Sequence, residues 1–275
     1  MRAKQKPVGA GFRLALICFF ISLPFSLPCP AFSQGTRFLV EWQSFERMVR
    51  DGNISDEDGE RAVVEWADRL ERAFPQSQSQ KDLFFPLRGY SIKDVGGKSG
   101  DGYKPKGYRF LDGNRHQGHP AQDIFVRDRN QDGRDDLTGT ALDVLALAGG
   151  IVLSAFSGWN EMDFSREIRG GNYVWIYHPA LRVFSYSAHL DKVFVRPGDK
   201  VPGGGTVATL GRSGKTAVLP RSPTHLHLMI LSSRDMQPVN PYPLLKSSRS
   251  NPSSSRTGTF SLSASKRPAH QAFAF

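Results

Sequence analysis

The chain has 275 residues and a formal net charge of +10. Four of the excess cations fall in residues 1–33 and five in 246–275, segments free of acidic residues, which leaves +1 for 34–245. The basic balance therefore belongs to the two ends and gives no case for a nucleic-acid-binding face. Both cysteines, Cys18 and Cys29, lie within the first 33 residues, so a chain that sheds this segment has no disulfide and no thiolate ligand. Any transition-metal site must then be built from histidine and carboxylate.

In chain order, Arg2, Lys4, Lys6 and Arg13 precede an almost wholly apolar run over residues 14–27, followed by PCPAFSQG with a small-residue exit after Ser33. This pattern predicts a secretion signal over 1–33. The alternative, a retained anchor, is disfavoured because the run is short for a span of about 20 residues and Pro24 breaks it. The expectation is a secreted protein, periplasmic or extracellular, with no stable membrane span after the signal is removed.

Phe38, Leu39, Trp42, Phe45, Met48 and Val49 recur at steps of three and four, which predicts an amphipathic helix over 37–50, broken at Asp51-Gly52-Asn53. Ser55 followed by Asp56, Glu57 and Asp58 is a helix start, because acids favour the positive end of the helix dipole. The second helix runs to about Phe74 with Ala62, Val63, Trp66 and Leu70 on one side. The two form a helical hairpin, residues 34–80, that ends in a SQSQ linker and serves as a structural prefix to the main domain; a partner-binding hairpin is the alternative.

From Leu83 the texture changes to short β-type runs (IVLSAF, NYVWIY, VFSYSAHL, KVFV, GTVATL, HLHLMIL), each bounded by Gly, Pro, Asn or Asp. The fold class expected is mainly β, an open antiparallel sandwich or barrel-like domain over 81–245. Residues 246–275 are rich in serine and basic, a composition that predicts a disordered tail.

His225-Leu-His227 sits in an apolar strand run, so both imidazoles emerge from one face while Leu226 and Leu228 take the other. An edge-strand polar face is the bland alternative. His119-Pro-Ala-Gln-Asp123 has a separation of four, which puts its two side chains on one face of a helix or a strand. Imidazole nitrogen and carboxylate oxygen are zinc ligands, and three protein ligands plus a water make the catalytic arrangement. His116 is a rival ligand, ranked below His119 because its distance of seven from Asp123 puts the two on opposite strand faces. His178, before Pro179, reads as structural or exposed, and Arg115 as a surface arginine rather than a substrate contact.

Asp128, Asn130, Asp132 and Asp136 stand at positions 1, 3, 5 and 9 of an EF-hand-like loop with Gly133 at 6, which suggests calcium. Position 12, normally a bidentate glutamate, is Gly139, and a solvated acidic turn is the competing reading. GRSGKT at 211–216 hints at a phosphate loop, but Thr209 stands where that motif requires glycine.

GNYVWIYHPALRVFSYSAHLDKVFVRPGDKVPGGGTVATLG followed by THLHL resembles the core of the M23 metallopeptidase family, the lysostaphin/LytM-type peptidoglycan endopeptidases. The matching order is HxxxD, a GNYV strand, an AHL strand, a V-x-x-GDKV hairpin, a GxSG turn and HxH, over roughly residues 83–231. The resemblance implies that His119, Asp123 and His227 hold zinc, with His189 and His225 as the catalytic histidines beside it. It implies a zinc metalloendopeptidase that cuts peptidoglycan peptides with metal-activated water. His225 is favoured as base because it shares a strand face with His227.

Three departures stand out. Ser187 takes a place where relatives commonly carry tyrosine, with Tyr186 one step earlier; Met229 replaces an acidic residue; and KTAVLPRSP lengthens the stretch before THLHL. The main rival is a non-catalytic wall-binding or regulatory module on the same fold. A lipoyl- or biotinyl-type carrier is a second, weakened because Lys200 lies before the hairpin turn rather than in it.

Overall fold

The computed structural model describes residues 34–75, 82–160 and 168–250. The expected signal, the SQSQ linker and the tail from 251 lie outside the described residues. Helix α1 spans Gln34–Asp51 and α2 Asp56–Ala73. Ser55 caps α2 by accepting the amide of Asp58 at 3.1 Å, and three acids fill the first turn, satisfying the free N–H end of the helix.

Nine strands follow: β1 (Ala121–Phe125), β2 (Asp143–Leu145), β3 (Gly150–Phe156), β4 (Asn172–His178), β5 (Val183–Val193), β6 (Lys200–Val201), β7 (Thr206–Leu210), β8 (His225–Ser232) and β9 (Pro238–Val239). All belong to one antiparallel sheet in the order β1-β8-β5-β4-β3-β6, with β9 beside β8. The long β5 leaves the central sheet at its C-terminal end to pair with β7, which in turn pairs with β2. The sheet does not close, so the architecture is mainly β and open.

Alternation along the strands builds two cores. Ile124, Val174, Ile176, Leu226, Leu228 and Ile230 face one core, where the β2 and β7 side chains Val144, Val207 and Leu210 meet them. Ala121, Tyr173, Trp175, Tyr177, Phe184, Ala188 and Met229 face the other, where α1 and α2 pack. Strand β4 is buried along its whole length because both its faces are covered, which is why NYVWIY reads as a continuous apolar run.

The helical hairpin is tied to the second face by aromatic contacts. Trp42, 1% exposed, stacks on Phe184 of β5 at 5.2 Å and meets Trp66 of α2 edge-on at 5.2 Å. Such pairs stabilise beyond the area they bury. Helix α1 thereby lies on the face from which the histidines emerge.

At the far end, helix α3 (Pro241–Ser247) begins on an Asn240 cap. Arg249 then exchanges backbone hydrogen bonds with Leu83 and Phe85 and pairs with Asp82. The chain is thus bound to the domain as far as Arg249, and the boundary expected at 246 moves outward. Serine-rich composition hid this, because the contacts there are made by backbone rather than by apolar side chains. Among the described residues, no helix is long and apolar enough to cross a membrane.

Candidate metal centre

Register places the site. Asp123 of β1 pairs with His227 of β8, and His227 with Ala188 of β5, so these positions form one row across the sheet. His225 pairs with Phe125 at the end of the same two strands. Leu226 and Leu228 are buried on the opposite side, and the two imidazoles of HxH share one face, as the period of two requires.

His119 precedes β1 in a loop held by paired backbone bonds with Lys104, 2.8 and 2.7 Å long. Its Nδ1 donates to Gly102 O at 2.9 Å, which fixes the ring and turns Nε2 toward Asp123 Oδ1 at 3.2 Å. His227 Nδ1 approaches the same oxygen at 3.2 Å. One donor atom from each of His119, Asp123 and His227 lies within 4.8 Å of the other two. It is the one such group of three among the described residues.

His189 reaches this row by an irregularity. Pairing of β4 with β5 slips between Asn172 and Tyr173, and His189 takes a left-handed backbone with φ 65°. A bulge of this kind re-aims a side chain. The His189 ring then lies 5.0 Å from that of His225 and 5.7 Å from that of His227. Its Nδ1 donates to Ser213 O at 2.9 Å, and the Nδ1 of His225 donates to Pro223 O at 2.7 Å. In both rings Nε2 is left as the acceptor. His225 Nε2 stands 3.9 Å from Asp123 Oδ1.

The electrostatics follow from burial and these bonds. Burial opposes the charge on Asp123, but hydrogen bonds from His119 and His227 outweigh it and hold the carboxyl well below the usual carboxylate range. The bond to Asp123 raises the His119 pKa against the effect of burial. Burial, assisted by His227 and His225, pushes His189 down to about 3, which keeps it neutral.

The five positions open into a cleft of about 400 Å³. Helix α1 contributes Glu46, Val49 and Arg50 to its lining, and the turn after Ser213 contributes Lys215 and Thr216. Tyr186 faces the cleft, its ring 6.4 Å from that of His227. Ser187 pairs with Leu228 and turns toward the opposite core, so the cleft has a tyrosine even though the motif is shifted by one.

Several supporting residues escaped the sequence reading. Asn172 of the GNYV run donates through Nδ2 to Leu190 O at 3.1 Å and Asp191 O at 3.0 Å. Ser213 of the GxSG turn donates to Leu190 O at 2.6 Å and accepts the Asn172 amide at 2.8 Å. Together they clamp the chain on either side of the His189 bulge. Gly171, with φ 71°, is needed because a Cβ there would meet Ser213 backbone at 2.3 Å. A polar residue inside an otherwise apolar strand was the available signal.

The other positions resolve as follows. His116 lies at the cleft edge, 4.9 Å from the Tyr108 ring, outside the His119–Asp123–His227 group. His178 is fully buried, bonded to Ser185 Oγ at 2.8 Å and pushed down to about 4 by burial. Arg115 packs its guanidinium against Gly52 at the α1–α2 turn.

Calcium is not supported at the acidic loop, whose bonding agrees with the competing reading of an acidic turn. Asp128 accepts the amides of Asp132 and Gly133, both at 3.0 Å, and the hydroxyl of Thr224 at 2.7 Å. Asp136 accepts the amide of Arg129, and the Asp132 carboxylate accepts from Asn130 and from the Arg134 amide. Donors of the loop itself consume the oxygens that a cation would need, and Asp128, Asp132 and Asp136 do not converge as a metal-holding group. The loop instead anchors Thr224, the residue before His225.

Fold and site define a class: an open antiparallel β protein with a histidine–carboxylate cluster on the floor of a cleft. Residues 130–241, about two fifths of the chain, match the model of peptidase family M23, a family of hydrolases. His189, His225 and His227 fall within the matched stretch, while His119 and Asp123 precede it.

No curated protein sequence matches the chain. Among solved structures, the chain is similar to the catalytic domain of lysostaphin from Staphylococcus simulans, with 22% identity, 49% of this chain and 81% of that one covered, and a TM-score of 0.34. A putative glycyl-glycine endopeptidase LytM from Ruminococcus gnavus gives 22% identity, 76% and 86% coverage and a TM-score of 0.41. A zinc-containing peptidase from Vibrio cholerae gives 21%, 58% and 39%, and 0.37, so the chain spans well under half of that protein.

Proposed function

We propose that the chain is an exported zinc metalloendopeptidase that hydrolyses peptide bonds in peptidoglycan cross-links or stem peptides. The observation that carries this reading is the convergence of His119 Nε2, His227 Nδ1 and Asp123 Oδ1 at the floor of an open cleft. Two imidazole nitrogens and a carboxylate oxygen fit zinc by donor type, and three protein donors leave a position for water. The Gly102 carbonyl on His119 Nδ1 is the kind of outer support that orients a metal-binding imidazole. Zinc held there supplies a Lewis acid and a water acidified to a pKa of about 7. The match of residues 130–241 to family M23 supports the substrate class, and the composition of residues 1–33 supports export.

His225 is assigned as the group that takes up a proton at Nε2. Its Nδ1 is committed to Pro223 O, and Asp123 is close enough to stabilise the imidazolium. His189, held neutral by burial, presents a second Nε2 acceptor beside it and orients the water or the amide being cut. Tyr186, whose pKa burial raises well above the usual value, stays a protonated phenol able to donate a hydrogen bond.

The test is metal content and hydrolysis by the purified chain beside His119→Ala and His227→Ala. About one equivalent of zinc in the parent and little in the variants is expected, with cleavage of wall fragments in the parent alone. Full zinc occupancy with wall fragments and glycine- or D-amino-acid-containing peptides left uncut would favour the non-catalytic wall-binding alternative.

A further inference from the structure

The cleft carries two cations with no acidic partner among the described residues. Arg169 and Lys215 both line it, both are exposed, and neither takes part in an ion pair among the described residues. They are neighbours in space, because the Lys215 amide donates to Arg169 O at 3.1 Å. The segments that carry them are locked together: Gly171 fits against Ser213 and Gly214 with no room for a side chain. Arg50, a third cation in the lining, is by contrast already engaged by both carboxylate oxygens of Asp51.

The Arg169 guanidinium spends one donor on Asn114 O, out of five N–H groups available in such a fork. That bond fixes the side chain across the cleft rim, toward the 3-10 segment Phe110–Arg115. Lys215 stands two positions after Ser213, whose carbonyl holds His189. Two cations, one of them pre-oriented, therefore line the cleft with the histidines, and among the described residues no anion pairs with them.

We propose that Arg169 and Lys215 form a carboxylate-binding subsite of the cleft, which selects peptides bearing a free C-terminal carboxylate close to the bond presented to His189 and His225. A planar guanidinium and a mobile ammonium on adjacent segments suit the two oxygens of one carboxylate, and charge-assisted hydrogen bonds of this kind are about twice as strong as neutral ones. The subsite rests on the hydrolase reading for its biological meaning, but its ligand preference is a property of the cleft that can be measured without turnover.

The test uses the full chain and one D-alanine-terminated N-acetyl tripeptide, prepared as the free acid and as the carboxamide. Binding of each is measured by calorimetry to the parent, to Arg169→Gln/Lys215→Met and to Lys215→Arg. The expected result is about tenfold tighter binding of the acid by the parent, a preference that shrinks as salt rises. The double variant loses this preference by weakening the acid alone, and Lys215→Arg keeps most of it. Equal affinity for acid and amide in the parent, including no measurable binding of either, overturns the proposal, as does a double variant that weakens both alike. Zinc-dependent cleavage of the same peptides is scored separately. An acid preference without cleavage leaves the subsite and removes the peptidase reading; equal affinity with cleavage does the reverse.

Discussion

Asp123 and Asp128 stand five positions apart and put their carboxylates to opposite uses. The oxygen of Asp123 meets imidazoles from a preceding loop and from a strand a hundred residues later, and among the described residues no backbone amide bonds to it. The oxygens of Asp128 are taken by amides four and five positions ahead and by the Thr224 hydroxyl. A carboxylate on a strand cannot reach its own backbone amides, since these serve the ladder; one on a turn is folded back onto them. Ligand spacing within a single loop is therefore weaker evidence for a cation than donors delivered from separate elements.

The largest effect expected from this contrast is at the strand position. Asp123→Asn should take zinc from about one equivalent to near none and abolish hydrolysis, as read by elemental analysis and peptide cleavage. Full metal content in this variant would remove the distinction between the two aspartates.

A third carboxylate extends the comparison. Glu46 on α1 is buried at the cleft wall, and Tyr173 Oη donates to it at 3.3 Å. Burial, opposed by Arg50 and by the Tyr173 bond, pushes its pKa up to about 7. The folded chain thus holds a proton that the unfolded chain has released, so stability is full below the ordinary glutamate range and falls as pH rises toward 7. The loss between those limits is about 3 kcal/mol at most. Glu46→Gln should flatten that part of the stability–pH curve in denaturant titrations, and an unchanged slope would assign it elsewhere.

At the turn, Asp128→Ala should cost roughly 1–3 kcal/mol by leaving the buried Thr224 hydroxyl and two amides without their acceptor. Zinc content should be unaltered, and added calcium should not shift the melting temperature of the parent. A calcium-dependent rise would restore the loop as a cation site. The smallest effect is expected at Ser55→Ala, about 1 kcal/mol from the lost cap of α2, with no change in metal content.

Periodicity made much of this legible. Steps of three and four marked α1 and α2, Ser55 and its acids marked the start of the second, and the parity of His225 and His227 set them on one face. What stayed hidden has physical causes. The His189 bulge depends on backbone φ and on a clamp from Asn172 and Ser213, residues whose polarity in an apolar strand has meaning only once the partner strand is placed. The fate of the acidic loop turned on amide directions that composition does not encode. That α1 walls the cleft followed from which sheet face its stripe covers, and both faces of β4 are equally apolar in sequence.

The docking of Trp42 on Phe184 carries a consequence for biosynthesis. The helical hairpin emerges from the ribosome long before β4 and β5, so Phe38, Trp42, Phe45 and Trp66 must wait, solvent-facing, for the strands that cover them. Until then the nascent chain displays an aromatic stripe, a natural target for holding chaperones and for premature association with its own copies. The wall of the cleft is made early, and its floor is laid last.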